Sequence, residues 1–145
     1  MKILVPVDGS KHSEEALYTA IELLKAKGGE LFVLTVVPSF EGFDLELSAS
    51  NRETLKRDFE AKGGKVVNRS CDIATGEGVK VRCKAEVSAT SVPDAIIGFA
   101  ENEKIDLIVI GSRGLSPASR FRMGSVASKV VRHAPCSVYV VKTKA

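Results

Sequence analysis

The chain has no tryptophan and no glutamine, only two histidines and three cysteines, and aromatic residues make up just 6% of it. Each scarcity excludes something. Proteins that hold single-stranded nucleic acid stack bases on aromatic platforms, and this sequence offers few. His12 and His133 have no carboxylate or cysteine at metal-ligand spacing, so they read as surface or helix-end residues, and no structural metal is expected. Cys71, Cys83 and Cys136 are odd in number, widely spaced and free of any CxxC pairing, which fits buried reduced thiols better than a disulfide frame or a zinc site. The lack of glutamine removes the water-positioning residue of several GTPases. No G-x4-G-K-[ST] occurs, and the one near match to GxGxxG, starting at Gly76, precedes a strand instead of following one. Apolar runs fall far below the ~20 residues that span a bilayer. The opening run, closed by Pro6 and Asp8, is too short for a signal-peptide core, so a cytoplasmic protein is expected.

What is present is the composition of an ordinary globular domain: 145 residues, 44% hydrophobic and 27% charged, with a net charge of +3. That length suits one compact domain over residues 1–145, and the charge is too mild to mark a dedicated nucleic-acid binder. No linker, repeat or low-complexity tract divides it.

The apolar pattern alternates between two kinds of segment. Lys2 to Val7 and Leu31 to Val37 are nearly continuous apolar strands of the type covered on both faces, the second closed by Pro38. Between them Ser10 caps a helix carrying Ala16, Leu17, Ala20, Ile21 and Leu24, stopped by Gly28-Gly29. Residues 39–50 read as loop. From Asn51 the positions Leu55, Phe59, Val66 and Val67 keep helical register across Gly63-Gly64, which predicts one long helix with a weak point at the glycines. Val79, Val81, Cys83, Ala85 and Val87 alternate as in a strand with one better-buried face at a sheet edge. Ser91, then Pro93 at the first helical position and Asp94, open a third helix. Leu107 to Ile110 forms a fourth strand, Gly111 to Met123 a polar loop, Gly124 to His133 a fourth helix and Val138 to Val141 a last strand. Five strands alternating with four helices predict an α/β fold with an open, doubly wound, five-stranded parallel sheet flanked by helices.

Such sheets bind ligands beyond the carboxyl ends of their strands, where strand order reverses. Pro6-Val7-Asp8-Gly9, Val36-Val37 and Gly111-Ser112-Arg113-Gly114 with Gly124-Ser125 are then the segments that meet. The spacing Gly111-x2-Gly114-x9-Gly124-Ser125 follows a buried strand and leads into a helix. Glycines admit backbone amides to a ligand, and a helix N-terminus presents unpaired N–H groups with a positive dipole end, a combination suited to phosphate. Ser125 adds a hydroxyl, and Arg113, Arg120 and Arg122 add positive charge. The competing reading is that the glycines only shape a turn and the arginines only solvate it.

That spacing resembles the nucleotide-binding signature of the ATP-binding branch of the universal stress protein family. Val5-Pro6-Val7-Asp8-Gly9-Ser10 resembles its first strand and turn, and Arg132-His133-Ala134-Pro135-Cys136-Ser137-Val138 its last helix and strand. The likeness covers the whole chain and is weakest between Phe40 and Thr90. It implies an adenine nucleotide alpha hydrolase-like fold and bound ATP, with the Mg²⁺ that a triphosphate normally carries. The base would lie near Asp8 and Val36, and the ribose and phosphates along Gly111 to Gly114 and Gly124 to Val126. It also implies a homodimer joined through Val138, Tyr139 and Val140. Ala127 departs from the pattern, standing where many members carry a second hydroxyl, so one phosphate or metal contact is missing. No residue beside the loop is an obvious base for hydrolysis, so a binding protein with at most slow ATP hydrolysis is expected. The alternatives are a nucleotide-free interaction module and, less favoured, a nucleic-acid binder using Arg113, Arg120, Arg122, Lys129 and Arg132.

Overall fold

The computed structural model describes residues 1–38, 49–88, 90–113 and 123–143. Nine elements alternate along it: β1 (Lys2–Pro6), α1 (Lys11–Lys27), β2 (Glu30–Pro38), α2 (Ala49–Gly76), β3 (Val81–Ser88), α3 (Val92–Asn102), β4 (Leu107–Gly111), α4 (Ser125–His133) and β5 (Ser137–Val141). The strands form one parallel sheet in the order β3-β2-β1-β4-β5, so the winding reverses between β1 and β4. The doubly wound, five-stranded sheet flanked by four helices is therefore as expected.

The period of two along each strand sorts side chains into two cores. Ile3, Val5, Val33 and Val109 face α1 and α2, where Leu17, Ile21 and Val67 pack on them. Leu4, Phe32, Leu34 and Ile108 face the other way, onto Ile96 of α3 and Val130 of α4. Both faces of β1 and β4 are thus sealed, which accounts for their unbroken apolar sequences. Among the described residues β3 pairs only with β2, as an edge strand should, and Val81 and Cys83 are half-buried as expected, but the alternation breaks at Ala85, so Ala85 and Val87, expected on the same face, are exposed while Glu86 and Ser88 are half-buried.

Local signals explain the helix ends. Ser10 caps α1, its side chain accepting from the Ser13 N–H at 3.1 Å, and Gly28 closes it with φ +77°. Ser91 caps α3 in the same way, while Pro93 stands at the second helical position, one later than the sequence suggested. α2 does run unbroken through Gly63 and Gly64, and it begins at Ala49, so Ala49 and Ser50 are helical where loop was expected. The rest of that loop, residues 39–48, lies outside the described residues.

The cysteines require a correction. Cys71 on α2 and Cys83 on β3 are joined in a disulfide with their Cα atoms 6.1 Å apart, and only Cys136 keeps a free thiol. Their spacing carried no sign of this, because the two meet only once α2 lies back across β2 and β3. Among the described residues no helix is long and apolar enough to cross a membrane.

Candidate functional site

At the carboxyl end of β1 the chain makes a turn held by its own polar groups. Val7 N–H still donates to the Leu34 carbonyl at 2.8 Å, extending the ladder one residue past Pro6. The Asp8 side chain then folds back, Oδ1 accepting from the Ser10 N–H at 3.0 Å, while the Asp8 N–H donates to Ser13 Oγ at 3.3 Å. Asp8 itself is exposed, and its Oδ2 has no partner among the described residues. The Asp8 carboxylate thus holds the turn through one oxygen, while Ser10 is the residue that caps α1. Ser13, buried and bonded to both Asp8 and Ser10, shapes this turn, although its position within a helix gave no sign of it.

One strand away, β4 ends at Gly111, which pairs with Val141 of β5. The next residue, Ser112, donates its N–H to the Val141 carbonyl at 3.0 Å and accepts from the Gly124 N–H at 2.7 Å. That second bond decides the geometry. It ties the beginning of the long loop to its end, bringing Gly111-Ser112-Arg113 beside the start of α4. Gly124 is the N-cap of α4 and contributes no side-chain cap, and its carbonyl accepts from Ser128 N–H at 2.9 Å. The N–H groups of Ser125, Val126 and Ala127 in the first turn thus have no acceptor within the helix. Ser125 is exposed, Val126 half-buried, and the methyl of Ala127 is packed in the core, leaving only its backbone for a ligand.

Gly111 has a reason of its own for lacking a side chain. A Cβ there would lie 2.8 Å from the His12 carbonyl oxygen and 2.9 Å from its carbonyl carbon. The glycine therefore lets the first turn of α1 approach the end of β4 closely. His12 Nδ1 in turn meets Thr143 Oγ1 beyond β5. Neither residue carries a motif, and 131 positions separate them in the chain.

Of the residues expected at the site, Pro6, Val7, Asp8, Gly111, Ser112, Arg113, Gly124, Ser125 and Val126 lie at the carboxyl ends of β1 and β4 or the start of α4. Val36 lies near the end of β2, half-buried against the core beneath α3 and α4. Arg113 is half-buried. Gly114, Arg120 and Arg122 lie outside the described residues, while Lys129 and Arg132 are exposed on α4.

The model of the universal stress protein family matches residues 1–142. A universal stress protein of Staphylococcus saprophyticus, itself described as putative, is 35% identical over 150 residues, covering 98% of this chain and 83% of its own. Among solved structures, the universal stress protein UspA of Lactobacillus plantarum superposes with a TM-score of 0.79 at 27% identity, covering 97% of both chains. The universal stress protein of Archaeoglobus fulgidus in complex with dAMP gives 0.71 at 25% identity, over 98% of both chains. With family match, sequence relatives and fold in agreement, the chain belongs to the universal stress protein family.

Proposed function

We propose that the protein binds ATP or a closely related adenine nucleotide in the crevice between the ends of β1 and β4. The observation that carries this reading is the hydrogen bond from Gly124 to Ser112, which gathers the amides of Ser125, Val126 and Ala127, left without acceptors inside α4, beside Gly111-Ser112-Arg113. Amides at a helix N-terminus suit phosphate. Asp8 Oδ2, across the crevice, suits a ribose hydroxyl or the adenine amino group, and Val36 the face of the base. The Archaeoglobus relative, whose structure is in complex with dAMP, supports the adenine class of ligand.

In this reading phosphates lie along Gly111 to Gly114 and Gly124 to Val126, with Mg²⁺ accompanying a triphosphate. In the same reading the chain acts as a nucleotide-dependent regulatory protein of stress physiology in the cytoplasm, as one domain over residues 1–145. Among the described residues β5 pairs on one side only, with β4, and Tyr139 on it is 46% exposed. Such an edge suits a homodimer joined through Val138, Tyr139 and Val140.

Calorimetric titration with ATP and Mg²⁺ tests the reading, alongside a Gly124→Val variant. Gly124 has φ −59°, which valine tolerates, so the variant folds while its side chain crowds the amides. Saturable binding in the parent, lost in the variant, is expected. No heat at millimolar ATP would point instead to a nucleotide-free interaction module.

A further inference from the structure

We propose that Cys71 and Cys83 are a reversible thiol–disulfide pair, a modification site oxidised by low-molecular-weight disulfides, which clamps α2 to the edge strand β3. The Cα separation of 6.1 Å lies within the range a disulfide spans without strain in the backbone, and the elements that carry the two cysteines pack on one another independently of the bridge, Val67 and Ala74 of α2 lying in the core against which Val81 of β3 packs. Both residues are half-buried, neither sealed in a core nor free on a flexible tail, which gives an attacking sulfur access. The chain between them turns tightly: Gly78 N–H donates to the Thr75 carbonyl and Val79 N–H to the Ala74 carbonyl, at 3.0 and 3.2 Å. Closing the bridge therefore orders little that is not ordered already.

The fold does not depend on the bridge. Disulfide frames serve small domains that cannot bury a sufficient core, whereas this chain of 145 residues packs two cores, one on each face of its sheet. The clamp acts where the sheet is least supported, since β3 has a strand neighbour on one side only. Cys136 packs against the opposite core, away from the pair, and burial pushes its thiol up.

The chemistry balances with the oxidant as the only co-reactant. One cysteine thiolate attacks a small disulfide RSSR, forming a mixed disulfide and expelling RS⁻, which takes up a proton. The second cysteine, losing its proton, attacks the protein sulfur of the mixed disulfide, closes the Cys71–Cys83 bond and expels the second RS⁻. Two protein thiols are oxidised and RSSR is reduced to two RSH.

The test uses the full chain with Cys136→Ser, which leaves two cysteines, equilibrated in buffers of rising oxidised-to-reduced glutathione ratio. The thiol titre is expected to fall from two to zero without covalent dimers, and to return to two with dithiothreitol in native buffer. Oxidation should raise the thermal midpoint by about 5–10 °C, from the constraint that a short loop places on the unfolded chain. Amide exchange should slow in β3, and in Cys71→Ser in the same background, where no ring can close, oxidised glutathione should no longer raise the thermal midpoint or slow that exchange. A titre fixed at two, a titre fixed at zero that dithiothreitol cannot raise without denaturant, glutathione retained on the protein without ring closure, or identical midpoints in the two states would each overturn the proposal.

Discussion

Replacing Gly63 and Gly64 by alanine, one at a time, sets two terms of opposite sign against each other within one turn of α2. In a helix interior alanine is favoured over glycine by about 1 kcal/mol, and both variants receive that gain. At Gly64 an added Cβ meets nothing within 4 Å, so Gly64→Ala should stabilise by about 1 kcal/mol. At Gly63 the same atom would lie 2.6 Å from Val37 Cγ2, closer than a real Cβ contact. Val37 is buried at 3% exposure, and its branched side chain has little freedom at χ1 to withdraw. Overpacking of this kind costs about 1–3 kcal/mol, which outweighs or cancels the propensity gain, so Gly63→Ala should destabilise by up to about 2 kcal/mol. The propensity term drops out of the comparison, leaving a gap of about 2 kcal/mol between the variants, or roughly 4–8 °C in thermal midpoint. Urea unfolding followed by circular dichroism measures this directly, provided the m-value stays constant. If both variants gained the same stability, α2 would not lie against β2 at Gly63, and the description of that packing would be wrong.

Three further outcomes follow from the same geometry. Gly111→Ala should cost roughly 1–3 kcal/mol in urea unfolding, because the new Cβ meets the backbone of His12 instead of a movable side chain. Burial raises the Cys136 thiol pKa in the folded state above its unfolded value, so the native chain holds that proton more tightly. Its contribution to stability is complete below the unfolded pKa and is lost as pH rises through the folded one, and alkylation of Cys136 at pH 8 should be slower in native protein than in urea. Tyr139→Asp, placing a charge on the open edge of β5, should shift light-scattering mass from dimer to monomer without lowering thermal stability; an unchanged dimer would rule out β5 as the joint.

Most of the fold was legible because its signals are local. The unbroken apolar runs of β1, β2 and β4, the alternation in β3, and the serine caps at positions 10 and 91 each report on their own neighbourhood. What escaped the sequence depends on contacts between distant segments. Nothing near Cys71 or Cys83 shows that α2 packs across β3, so their bond was unexpected. Gly111 was read as making room for a ligand, and the structure adds that it makes room for His12, a neighbour only in space. The start of α2 at Ala49 escaped as well, because Ala49 and Ser50 carry no apolar periodicity to mark a helix. At the carboxyl end of the sheet, glycine spacing pointed to the segments that the Gly124–Ser112 hydrogen bond brings together, whereas Ser13, which holds the Asp8 turn, looked like any polar residue of a helix.

The central claim is that an adenine nucleotide sits between the ends of β1 and β4, and amide chemical-shift perturbation by ATP with Mg²⁺ tests it most directly. The account predicts saturable shifts at Ser112, Ser125, Val126 and Ala127, joined by Asp8 and Val36, with the far ends of the strands unmoved. Shifts confined to other surfaces, such as β3 or the exposed face of α2, or no shifts at millimolar ATP, would contradict it.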